Sequence, residues 1–304
     1  MNPKLSLIIL QLASVVGLSL IVGAVHSVEK LPAVLIQLPA SLDTVFIAET
    51  DASLFHRFDR QGDTVIHNGS YYMSIGRAGS GKEKSGDRRT PIGVYFVTEQ
   101  IDTSRLHEKY GVTAYPLDYP NEWDKLAGRD GDGIWVHGVL PNGGRRPERD
   151  TDGCIALPNE DLLQLMPLFA DNQTPVIVTR QISWVDSSEA ASLRTALLAR
   201  VDQWAASQTE GNWHTFLSLY DETFSRWQMD RGEWSSLKIR APAERSSLTV
   251  SDVFLAAYPD ERGLYLSRFK VTTVDASGAY STAVRLYWRR ANDEQFRIVA
   301  EDVG

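Results

Sequence analysis

Residues 133–162, GIWVHGVLPNGGRRPERDTDGCIALPNEDL, decide how this chain is to be read. They contain the only cysteine, Cys154, which therefore has no partner for an internal disulfide. Cys154 sits in a Gly-Cys turn between a strand-like run ending at His137 and a helix-like run beginning near Asn159. A thiolate is the strong nucleophile among ordinary side chains, and a nearby imidazole is the usual device for generating it. His137 precedes Cys154 by 17 positions (154 − 137), with a loop between that can fold the two together. The pattern points to cysteine-dependent acyl transfer, with Cys154 as nucleophile and His137 as general base.

The neighbours of this pair supply further expectations. Gly153 lets the backbone approach a substrate closely, so amides around Gly153 and Cys154 suit an oxyanion hole. Arg145, Arg146 and Arg149 lie on the intervening loop, where guanidinium forks can hold a substrate carboxylate. Thr151 and Asp152 precede the turn and can orient the imidazole as a third group. His56, His67, His107 and His214 are scattered without metal-ligand spacing and read as structural or exposed; no metal site is expected.

Working outward, residues 45–182 read as a mostly-β domain. TVFIAET, SLFHRFD, GVYFVTEQI, GIWVHGV and TPVIVTR are short strand-like runs separated by Gly, Asp and Asn. EDLLQLMPLF reads as a short helix with Asn159 as its N-cap. The texture changes at Ser187-Ser188. Leu193, Ala196, Leu197, Val201, Trp204 and Ala205 recur at helical spacing, and WHTFLSLYDETF continues the helical pattern. Strand-like segments follow: LTVSDVFLAAY, GLYLSRFKVTTVD, YSTAVRLYWRR and EQFRIVAED. Helices followed by an antiparallel sheet define an α+β domain over 188–304.

The N-terminus bears on location. LSLIILQLASVVGLSLIVGAV, residues 5–25, is apolar on every face and longer than the ~7–15 residues of a typical secretory core. Residues 1–27 therefore read as a signal peptide or an uncleaved membrane anchor, and either exports the remainder. Residues 28–44, with two prolines, read as a linker. A net charge of -8 argues against a nucleic-acid partner, which calls for a basic surface.

The central block resembles the catalytic signature of the L,D-transpeptidases of the YkuD type: His, a loop, then Ser/Thr-x-Gly-Cys. Here it reads His137-Gly138, loop, Thr151-Asp152-Gly153-Cys154. Two upstream blocks, GDRRTPIGVYFV and YPLDYPNEWDKLAGRDGDGIWVHG, resemble that family's segments in the same order. The resemblance implies a mostly-β catalytic fold and periplasmic chemistry on peptidoglycan stem peptides without a cofactor. Such enzymes attack the bond between meso-diaminopimelate and D-alanine of a tetrapeptide, forming a thioester. Transfer to an amine acceptor, giving a crosslink, is the leading expectation; water as acceptor, giving an L,D-carboxypeptidase, and a non-catalytic wall-binding scaffold are the alternatives. The resemblance also implies Cys154 as nucleophile, His137 as base and Gly153 at the oxyanion hole, with Gly138, Arg145, Arg146, Arg149, Thr151 and Asp152 around the substrate.

Two positions depart from the pattern. Asp152 stands where many members have His, and Ala156 where many have Arg. An anion beside the thiol raises its pKa unless an arginine offsets it, a role open to Arg145, Arg146 or Arg149. Residues 188–304 resemble a nuclear-transport-factor-like (SnoaL-like) cone domain. This domain pairing is similar to periplasmic L,D-carboxypeptidases that shape helical cells, in which the cone binds substrate or partners; the resemblance implies a protein or glycan ligand for the cone here.

Overall fold

The computed structural model describes residues 30–62, 64–169, 173–226, 228–240, 245–275 and 278–303. The expected signal or anchor segment, residues 1–27, lies outside the described residues. Among the described residues no helix is long and apolar enough to cross a membrane.

The first domain is built on a five-stranded sheet in the spatial order Thr64–Tyr72, Leu54–Gln61, Thr44–Glu49, Pro175–Thr179, Gly93–Phe96. Thr44–Glu49 and Pro175–Thr179 run parallel, and the other neighbours are antiparallel. Pro175–Thr179 is buried at every residue, as its unbroken apolar run demands of a strand covered on both faces. One face packs Phe46, Ala48, Tyr95, Val176 and Val178 into the domain's own core with Phe169 and Leu162. The other presents Val45, Ile47, Val94, Phe96 and Ile177 to the second domain.

The second domain has a five-stranded antiparallel sheet in the order Phe296–Val303, Gly278–Arg290, Leu264–Asp275, Arg245–Ala257, Leu35–Gln37. Side-chain alternation divides its residues between two cores. Leu255, Leu286, Trp288 and Ile298 face the helix Ser187–Thr209 and its successors, whereas Phe254, Ala256, Tyr287 and Ala300 face the first domain.

The expected linker is not a free connector. Lys30–Pro32 pairs with Trp184–Asp186, and Leu35–Gln37 pairs with Arg245–Ala257 as an edge strand of the second sheet. The runs are three residues each, too short to show a period between the prolines. The segment Asn121–Arg129 also joins the domains. The Trp123 ring stacks on Tyr287 at 6.3 Å between centroids. Asn121 Nδ2 donates to Tyr258 Oη at 2.9 Å, and Arg129 Nη2 pairs with Glu261 Oε1 at 3.0 Å.

Candidate active site

His137 ends the strand Trp135–His137, which lies parallel to Ile155–Ala156, with Ala156 opposite His137. Cys154 immediately precedes that second strand, so in this register it falls at the level of Trp135, two positions from His137 on the neighbouring strand. Cys154 and His137 both line a cleft of about 360 Å³ with Arg77, Lys82, Lys109, Tyr110, Asp132, Arg146, Asp150, Thr151 and Asp152.

The imidazole is buried and its tautomer follows from its contacts. Nδ1 lies 2.6 Å from the Gly138 carbonyl oxygen, an acceptor only, so Nδ1 carries the hydrogen and Nε2 is left to accept a proton. The Tyr110 ring meets His137 edge-on at 5.2 Å. Burial, assisted by the charges of Arg146 and Lys109 against the pull of the Gly138 carbonyl, lowers the His137 pKa to about 4. The imidazole is therefore neutral at neutral pH. Cys154 is half-buried, with Sγ 3.3 Å from the Gly133 carbonyl. Burial raises the thiol pKa and Asp152 adds to the rise, while the Trp135 backbone and the charges of Lys109 and Arg146 oppose it. Thiol and imidazole are thus both neutral at neutral pH.

The turn itself is held from two sides. Thr151 Oγ1 accepts from the Gly153 amide at 3.1 Å and donates to the Cys154 carbonyl at 2.7 Å. Its hydroxyl thus shapes the turn, while the residue also lines the cleft. Of the two amides expected at an oxyanion hole, that of Gly153 thus already has a partner within the turn. On the other side, buried Thr90 accepts from the Gly76 amide at 3.0 Å and donates to the Gly153 carbonyl at 2.9 Å.

The arginines are distributed differently from expectation. Arg146 alone of the three lines the cleft, with Nε bonded to Asp150 Oδ2 at 2.9 Å. Arg145 lies over the Tyr72 ring at 3.5 Å from its centroid. Arg149 belongs to the short strand Arg149–Thr151, alongside Gly79, and is absent from the cleft lining. The cation facing Asp152 is Arg77, whose Nη1 is 3.1 Å from Asp152 Oδ1. Gly138 is buried backbone: its amide donates to Tyr110 and Thr113 carbonyls and its carbonyl accepts from His137, so it supports the imidazole and is absent from the lining of that cleft.

Asn159 also departs from its expected role. The helix Asn159–Leu165 is capped at Pro158 without a side-chain bond. The Asn159 amide instead bridges Val139, accepting from its N–H and donating to its carbonyl at 2.9 Å each, and so fixes the chain just beyond His137. Arg77, Lys109, Thr90 and Asn159 were not singled out as site residues by motif reasoning. For Thr90 a signal existed in the GDRRTPIG block, but a Thr-Pro pair reads equally as a strand-initiating turn.

With this geometry in place, the comparisons define the class. Residues 45–178 match the YkuD L,D-transpeptidase catalytic domain, and residues 196–302 match the Cds6 C-terminal NTF2-like domain. The chain thus carries an L,D-transpeptidase catalytic domain followed by an NTF2-like domain.

Among solved structures, the helical cell shape determining protein Pgp2 from Campylobacter jejuni is similar over 88% of this chain and 94% of its own, with 26% identity and a TM-score of 0.72. Bd1075 of Bdellovibrio bacteriovorus shares the fold at a TM-score of 0.72 and 22% identity, over 91% of this chain and 98% of its own. No curated protein matches the chain in sequence.

Proposed function

We propose that this chain is an exported peptidoglycan L,D-carboxypeptidase of the L,D-transpeptidase family, trimming tetrapeptide stems to tripeptides. Cys154 Sγ attacks the carbonyl carbon between meso-diaminopimelate and D-alanine as its proton passes to His137 Nε2. The carbon–nitrogen bond breaks, and D-alanine leaves with that proton on its amine. Water then cleaves the thioester, its oxygen bonding to the carbonyl carbon, one hydrogen returning to sulfur and the other released as the acid ionises to the carboxylate. In this reading the Cys154 amide receives the oxyanion.

The observation that carries the reading is the shared cleft, in which a neutral buried imidazole with a free acceptor nitrogen accompanies the single thiol. Likeness along both domains to a helical cell shape determining protein supports water as acceptor, given the domain pairing of cell-shape carboxypeptidases. The second reading, transfer to an amine acceptor to give a crosslink, uses the same thioester and is favoured by the catalytic-domain match itself. Export rests on the apolar N-terminal run.

Incubating the purified protein with disaccharide tetrapeptide separates these readings. Tripeptide without crosslinked dimer supports hydrolysis, and dimer supports transfer. No turnover by the wild type, with Cys154→Ala complementing a deletion strain as well as the wild type does, would remove both and leave a non-catalytic wall-binding scaffold.

A further inference from the structure

His56 and His67, eleven positions apart (67 − 56), meet on the outer part of the first sheet. His56 Nδ1 lies 3.3 Å from His67 Nε2, and Ser70 Oγ is 2.9 Å from the first and 3.0 Å from the second. The three atoms form a nearly equilateral triangle. Two nitrogens at that separation, each about 2.0–2.1 Å from a zinc ion, subtend roughly 105–110° at the metal, the tetrahedral value.

The strand pairing is built to bring them together. His56 faces Ser70 across the pair Leu54–Gln61 and Thr64–Tyr72, and Phe58 faces His67. A one-residue bulge separates these pairs, with Gly69 at φ +118 beside it. In unbroken register His67 would oppose Asp59 and point to the other face of the sheet. The bulge, which needs glycine's freedom, turns it onto the face of His56.

His56 is backed as a metal ligand is. Its Nε2 lies 3.1 Å from Glu49 Oε2, which fixes the tautomer, orients the ring and raises the basicity of Nδ1. Glu49 Oε1 in turn accepts from the Ile182 amide at 2.9 Å, on the segment leading to the second domain. His67 and Ser70 are exposed, giving an ion a way in.

We propose that His56 Nδ1 and His67 Nε2 bind a divalent first-row transition ion, of which zinc is the representative. The Ser70 hydroxyl stands at the third corner and water completes the coordination. No group of three or more His, Cys, Asp or Glu suited to a metal occurs among the described residues, so this is a two-imidazole site of moderate affinity. Its role is structural: it clamps the bulged hairpin to Glu49 and through it to the inter-domain segment. It is independent of the reaction proposed for Cys154.

The test is calorimetric titration of zinc chloride into the full chain carrying Cys154→Ala, which removes the competing thiol. One zinc per chain is expected, with Kd raised at least tenfold by His67→Ala, an exposed position whose loss leaves the fold intact. Glu49→Gln should weaken binding by about tenfold, the usual cost of losing a carboxylate behind a ligating imidazole. With copper(II) as probe, the electron paramagnetic resonance spectrum should show two coordinating nitrogens, reduced to one in His67→Ala. Absence of saturable zinc binding, or a Kd within twofold of the parent in His67→Ala, overturns the proposal.

Discussion

Thr90 and Gly153 are joined across 63 positions of sequence, the Thr90 hydroxyl donating to the Gly153 carbonyl at 2.9 Å. The same oxygen accepts from the Gly76 amide, and Gly76 pairs with Thr151 in the short parallel strand beside the turn. One buried hydroxyl therefore sets the height of the nucleophile turn against its neighbouring strand. Thr90→Val keeps the shape but leaves a buried amide and a buried carbonyl unsatisfied, at about 1–3 kcal/mol each. The expected result is a loss of tenfold or more in kcat with KM little changed, and near-normal activity in Thr90→Ser. Equal activity in Thr90→Val would show that the turn holds itself.

The raised thiol pKa and lowered imidazole pKa have opposite signatures. Alkylation of Cys154 by iodoacetamide should follow a midpoint above 9, because burial disfavours the thiolate. His137, brought down by burial from 6.5 to about 4, should place the acid limb of kcat/KM near pH 4. For stability the sign follows from proton uptake. Between pH 6.5 and 4 the unfolded chain binds a proton at this residue that the folded chain refuses, so stability falls as pH drops through that window. His137→Gln should flatten this part of the profile in pH-dependent chemical denaturation.

Asp152 and Arg77 tune that thiol from the rim. Asp152 raises the Cys154 pKa as a secondary contribution behind burial, and Arg77 is its paired cation. Both side chains are largely exposed, so solvent screens the effect. Asp152→Asn should move the alkylation midpoint down, and Arg77→Gln should move it up, both modestly because solvent screens the pair. Shifts of the same sign in the two variants would contradict the pairing.

What the sequence carried, and what it hid, follows contact distance along the chain. Cys154, His137 and the loop between them are readable because the chemistry is local and the strand and turn residues announce themselves. The order of a β domain followed by helices and a sheet is likewise visible in the change of period at Ser187. Arg77 facing Asp152, 75 positions apart, leaves no local trace, whereas Arg146, on the loop the motif marks, does oppose the rise of the thiol pKa. Asn159 carries an N-cap signature, yet its side chain serves Val139 because the strand end beyond His137 needs partners more. A bulge moved His67 to the face of His56, and no periodicity rule registers one extra residue.

The seam between the domains should make them unfold together. Trp123 is almost fully buried, stacks on Tyr287 and lies in one core with Ile177 and Phe254 from the two sheets. Trp123→Ala should cost about 3–5 kcal/mol, the range for removing a buried aromatic. Calorimetry is expected to show one transition in the wild type and, in the variant, a lowered or divided one. A single unshifted transition would mean that the seam contributes little to cohesion.

Gly138 makes the sharpest local prediction. A Cβ there would lie 2.2 Å from Asn159 Oδ1 and 3.0 Å from the Val112 amide nitrogen. Asn159 cannot simply swing aside, because its amide holds both backbone groups of Val139. Any relief must shift the peptide whose carbonyl accepts from His137 Nδ1, loosening the bond that sets the tautomer of the base. Gly138→Ala should therefore lower kcat at least tenfold, with Cys154 still open to alkylation. Gly144, an exposed loop glycine with no atom within 4 Å of an added Cβ, is the control. Its φ of +51 is a conformation that asparagine tolerates. Gly144→Asn should keep the wild-type rate, so a loss confined to Gly138→Ala assigns the effect to the His137 support.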